Sequence, residues 1–263
     1  MKVFSFRNFR ILILLSILAM AAIYTKEQRL YTTSWFKPIG VTIFPINGDG
    51  SAATERYIQQ LSGNNFQAID NFFTRGAKRY QLIINKPIST ALGSTISSKP
   101  PAPPANRSST LQIMLWSLKL RFWAYNNTPD DLSNKDRIRL YVLYHQIQDN
   151  QPLQHSLGLQ KGLIGVIHAF ATPNQNKQNT IIMAHEILHT VGASDKYHYS
   201  NNQPIYPDGY AKPNQKPLHP QRFAEIMAGR LPISVSQTKM PTSLRHVVVG
   251  KATAQEINWL SSP

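Results

Sequence analysis

The chain contains no cysteine. A disulfide scaffold, a thiolate metal ligand, a cysteine nucleophile and a thiol-based latency switch are all excluded. Acidic residues are scarce too: 13 Asp and Glu stand against 28 Lys and Arg, a formal charge of +15 over 263 residues. That excess draws a protein toward anionic envelope polymers or lipid headgroups. The cations are nevertheless scattered, with Lys78-Arg79 and the pair Arg137 and Arg139 among the few close neighbours, and no run of five appears. No basic–aromatic repeat accompanies them, so no specific nucleic-acid platform is expected.

What is present begins at the N-terminus. Lys2, Arg7 and Arg10 precede an apolar stretch from Ile11 to Tyr24, and Lys26, Glu27 and Arg29 follow it. A positive flank before an apolar run is the pattern of an export signal. Ala19-Met20-Ala21 fits small-x-small cleavage, yet the apolar run continues through Ala22-Ile23. Residues 1–29 are therefore expected to be a cleaved signal peptide or a membrane anchor, the only membrane contact foreseen. Both place the rest outside the cytoplasm, periplasmic or secreted. With 42% hydrophobic residues, residues 30–263 can build one substantial core. An upper lobe over about 38–192 and a lower lobe over about 193–263 are expected.

Branched and aromatic runs predict strands at 41–44, 81–84, 138–144 and 162–170. Helical spacing predicts helices over 52–62, 65–78 and 111–125, the last capped by Ser108 or Ser109. Along it Leu111, Leu115, Leu118, Phe122 and Tyr125 repeat at helical intervals, and Trp116 and Trp123 are expected to pack. Between these elements, residues 97–109 form a stiff proline-rich loop. The order predicts an α+β fold, a mixed sheet with flanking helices.

The most informative stretch is His185-Glu186-Ile187-Leu188-His189, continuing through Gly192 to Asp195. Two histidines four apart on a helix lie one turn above each other, about 5–6 Å between Cβ atoms, so both rings can reach one metal ion. Glu186 sits beside that ion, where a carboxylate can take a proton from water. Asn179 or Thr180 can cap this helix, and Gly192 can stop it. Ala184, Ile187, Leu188 and Val191 occupy one side, so the helix is buried and the motif is its polar stripe. Buried imidazoles and a carboxylate need partners. A divalent cation supplies them; two core histidines bonded to backbone are the alternative. A tetrahedral catalytic zinc needs a third protein ligand. Asp195 and Glu225 are the candidates, and Gly192, which can fold the chain back, favours Asp195.

His185-Glu186-x-x-His189-x-x-Gly192-x-x-Asp195 resembles the zinc signature of the metzincin metallopeptidases, with the aspartate third ligand of the snapalysin-like branch. Glu225-Ile226-Met227-Ala228 is similar to the methionine turn of that family. The resemblance implies a zincin-like mixed sheet, the active-site helix below it, an antiparallel edge strand along the cleft (assigned to 162–170) and a loop-rich C-terminal lobe. It makes Met227 a packing floor and Glu225 a turn residue. Several metzincins carry a tyrosine two residues after the methionine, whereas this chain has Gly229. Oxyanion or substrate contacts must come from elsewhere, and Tyr197, His198 and Tyr210 are the candidates. The loop-rich tail is expected to close with a short helix capped by Thr253 and Glu256.

The function implied is exported, zinc-dependent hydrolysis of a peptide or protein substrate with one Zn²⁺ ion and Glu186 as general base. The alternative is a zinc-stabilised, non-catalytic envelope binding protein.

Overall fold

The computed structural model describes residues 6–104, 109–129, 137–147 and 153–261; Lys2 and Ser108 lie outside them. Five strands form the central sheet: β1 (Ile39–Asn47), β2 (Ile88–Leu92), β3 (Arg137–His145), β4 (Leu157–Leu159) and β5 (Ile164–Phe170), in the order β2-β1-β3-β5-β4. The pairings β1–β2, β1–β3 and β3–β5 are parallel, and β4 runs antiparallel to β5 at the edge. Helices cover both faces, which is why these strands read as nearly continuous apolar runs. On one face Val41, Ile43, Leu140, Val142 and Ile167 join a core with α2 (Ala52–Gln59), α3 (Gln67–Arg79) and α5 (Asn176–Thr190). On the other, Phe44, Ile46, Tyr141, Leu143 and Val166 pack with Leu120 and Ala124 of α4 (Thr110–Asn127). The architecture is mixed α/β with a mostly parallel sheet, compatible with the expected α+β class.

β1 runs through Pro45, where a strand end was expected. The Pro45 carbonyl accepts from Ile96 N at 2.9 Å. A strand residue points its N–H and C=O to the same side, so the missing donor faces away from β3, where β2 has already ended. The ring costs the β1–β3 ladder nothing.

Four expectations are corrected. Residues 81–84 form no strand. Gln81 has φ +54, and its N–H and that of Leu82 bond back to Lys78 O and Ala77 O, ending α3 in a Schellman turn. Leu82 and Ile84 pack on the core while Ile83 is 97% exposed, which mimics strand alternation. The antiparallel edge is β4, not 162–170; β5 is interior. α5 starts at Asn176, ahead of Asn179 and Thr180, because Pro173–Gln175 begins it as a 3-10 turn. Asn179 is instead a buried clamp whose amide bonds Phe170 N and O, fixing the helix to the end of β5. Thr253 and Glu256 make no capping box on α6 (Lys251–Glu256), whose N-cap is Gly250; both side chains are engaged elsewhere, as described below.

After α5 the chain is loop-rich, with two short pairings: β6 (Ala224–Glu225) with β9 (Val247–Val248), and β7 (Leu231–Pro232) with β8 (Thr238–Lys239). At the other end α1 (Phe6–Ser34) is long and apolar enough to cross a membrane. It runs past residue 29 into the fold. Thr32 is buried, and Trp35 donates Nε1–H to Ile257 O at 2.6 Å while meeting Trp259 edge-on.

Candidate metal centre

α5 presents the motif, and its stop delivers the third group. Ala193 N bonds Leu188 O and Gly192 N bonds His189 O, with Gly192 at φ +107. This Schellman turn places Ala193 O 2.8 Å from His189 Nδ1 and brings Asp195 back over the helix. His185 Nδ1 lies 2.9 Å from Ile226 O. A carbonyl only accepts, so both rings must donate from Nδ1, and each Nε2 is left with a lone pair.

Those lone pairs meet. His185 Nε2 and His189 Nε2 are 3.0 Å apart, and Asp195 Oδ1 lies 3.2 Å from each. The ligand atoms of His185, His189 and Asp195 all fall within 4.8 Å of one another. Three acceptors facing one point repel unless a cation or protons sit among them. Asp195 Oδ1 is buried without a hydrogen-bond donor. The backbone bonding that core histidines would need is therefore made at Nδ1, which leaves the Nε2 side to protons shared with Asp195 or to a divalent cation. Two imidazole nitrogens and one carboxylate oxygen are ligand types that a divalent metal ion accepts.

The electrostatics agree. Burial favours a neutral His185, but Asp195 and Glu186 outweigh it and push the ring up to about 9. Burial opposes the charge on Asp195, yet the two histidines hold its carboxyl far below the usual range. The pocket thus stabilises positive charge on its nitrogens and negative charge on its oxygen.

Glu186 is buried beside the triad, and its Oε2 has no hydrogen-bond partner. Burial raises its carboxyl, with the histidines working against the rise. Tyr199 donates its hydroxyl to Asp195 Oδ2 at 2.8 Å. Tyr197 lines the same cleft of about 440 Å³, its phenol pushed up to about 12 by burial and by Asp195. Leu157, Gly158 and Leu159 of β4 line it together with Pro103, Ile113 and Trp116.

Glu225 stands apart from the triad. Its fully buried carboxylate accepts from Ala228 N (3.0 Å), Gly250 N (3.0 Å) and Thr253 Oγ1 (2.7 Å). It pins a tight turn in which Gly229 N bonds Glu225 O, and Gly229 sits at φ +69. That conformation explains why glycine, not tyrosine, stands two residues after the methionine. Met227 is buried in the core that holds Ile187 and Leu188, and its carbonyl accepts from Lys196 N. Beside Asp195, Lys196 Nζ and Ser194 bond Glu256, tying this segment to α6.

Two of the sequence candidates lie elsewhere. His198 is exposed, with its N–H on Gln203 O, outside the cleft lining. Tyr210 bonds His219 Nε2 at 3.2 Å and lines a different cavity, because the turn after Tyr206 carries it away. Sequence reasoning missed Tyr199, one helical turn's spacing beyond Asp195, and Gly158, whose lack of a side chain lets β4 approach α5. It also missed the pair His145 and His168 at the ends of β3 and β5, 3.1 Å apart.

No protein-family model and no curated protein matches the chain, so its functional reading rests on these residues.

Proposed function

We propose that the chain is a zinc-dependent metallopeptidase of metzincin type, borne by an exported or membrane-anchored protein. The observation that carries this reading is the convergence of His185, His189 and Asp195 with both Nδ1 atoms committed to carbonyls. These three residues hold the ion, and a zinc ion there acts as a Lewis acid that polarises a carbonyl and eases ionisation of water. Glu186 Oε2, buried and unpartnered, takes the proton from the attacking water. The same carboxyl then gives that proton to the leaving amine as the C–N bond breaks. β4 is a sheet edge beside the triad, and an extended peptide can add to it as a further strand. Tyr197 and Tyr199 line the cleft and contact the substrate.

A zinc-stabilised binding protein without chemistry would leave the unpartnered Glu186 carboxylate unexplained. The test is Glu186→Gln. Zinc should stay stoichiometric while cleavage of a peptide library falls about 10²–10⁴-fold. Near-normal turnover in that variant would remove Glu186 from the reaction.

A further inference from the structure

α4 turns its repeating apolar residues outward, while Trp116 and Trp123 pack as expected. Leu111, Leu115, Leu118, Phe122 and Tyr125, spaced four and three apart, are each more than half exposed, with Met114 beside them. The opposite side holds the helix in place. Leu120 and Ala124 are buried against the sheet. Trp116 donates its indole N–H to Pro101 O and Trp123 donates to Ser98 Oγ, both at 2.9 Å. With both indoles tethered, α4 cannot roll its outer stripe inward. A contiguous apolar face of this kind marks an interaction surface.

The charge on the helix selects the partner. Thr110–Asn127 contains Lys119 and Arg121 and no acidic residue. Two copies of α4 packed face to face would bring their exposed Lys119 side chains together with no acidic residue of α4 to neutralise them. An anionic lipid surface neutralises them and takes up the leucines, Met114 and Phe122 at the same time. The chain also carries its own reason to be at a bilayer. α1 is long and apolar enough to cross one, and it ends at Ser34, directly before Trp35, which is locked to Ile257 O. The apolar stretch ends at Tyr24, only about 15 Å of helix before that anchor. With α1 in a bilayer, the domain stays close to the membrane surface.

We infer that α4 is a second membrane contact, lying in the interface of an anionic bilayer with its outer stripe among the acyl chains. Ile113 and Trp116 of the same helix line the cleft of the metal centre, so docking sets that cleft beside the lipid surface.

The absence of native cysteine makes the test clean. The full chain carrying Leu118→Cys or Phe122→Cys, and separately Ala68→Cys at an exposed position of α3, is labelled with an environment-sensitive fluorophore. Each is reconstituted through α1 into phosphatidylcholine vesicles with and without phosphatidylglycerol. The probes at 118 and 122 should shift to the blue and be quenched several-fold more by nitroxide lipids than by aqueous iodide, with the effect weakening when phosphatidylglycerol is omitted. The Ala68 probe should stay accessible to iodide. Iodide-dominated quenching at both α4 positions would overturn the proposal. A shift that grows with chain density without nitroxide quenching would assign the face to a second copy and overturn it equally. The readout involves no catalysis, so it fails or succeeds independently of the hydrolase reading.

Discussion

Gly158 and Glu186 touch across the edge of the sheet: a Cβ added at Gly158 would lie 2.5 Å from Glu186 O and 2.8 Å from His189 Cβ. The edge strand and the metal helix are therefore as close as their backbones permit. Gly158→Ala must push β4 off α5, at a cost of about 1–3 kcal/mol. Peptide cleavage should fall more than metal content does, because β4 lines the cleft and supplies no ligand. Equal activity in wild type and variant would remove β4 from the substrate site.

Glu225 holds the turn that orients His185 through Ile226 O. In Glu225→Ala three donors, Ala228 N, Gly250 N and Thr253 Oγ1, lose their acceptor inside the protein. The expected loss is about 3 kcal/mol or more, read as a lower denaturation midpoint, together with weaker zinc binding as His185 loosens. Unchanged stability would mean that water or another group replaces the carboxylate.

Buried His168, beside half-buried His145, predicts an acid limb of stability. Burial first, and the neighbouring His145 second, hold His168 down to about 4 from the ordinary 6.5. Between those values the unfolded chain binds more protons than the folded one, so stability is complete above about pH 6.5 and declines toward pH 4. The decline assignable to this ring is about 2–3 kcal/mol. Denaturant unfolding at pH 7 and pH 4.5 checks it: the difference between the two should be smaller in His168→Gln than in the wild type. An identical pH dependence would clear His168.

Much of the fold was legible because its signals were redundant. β1, β3 and β5 are buried on both faces, so their branched and aromatic runs could hardly be anything but strands. The helix bearing the motif showed an apolar side, and Gly192 announced its end. The Schellman turn that the glycine permits is also what delivers Asp195, so the convergence of the His185, His189 and Asp195 side chains could be read from local spacing. Other features depended on tertiary choices with no local trace. Residues 81–84 alternate like a strand because Leu82 and Ile84 pin the end of α3 to the core. In α4 two apolar sides compete, and only the tethered indoles of Trp116 and Trp123 decide which is inside. Thr253 and Glu256 have the spacing of a capping box, yet Glu225 takes the first and Lys196 with Ser194 the second. Tyr210 and His198 share a loop with Tyr197, and nothing in their spacing separates the one residue that lines the cleft.

The most direct measurement is the metal content of the purified full chain, by elemental analysis after equilibration with zinc and removal of the excess. A single zinc per chain is predicted for the wild type, with occupancy sharply reduced in His185→Ala and Asp195→Ala and preserved in Glu225→Gln. A wild-type chain that retains no divalent metal, or one whose zinc survives loss of His185, would contradict the account.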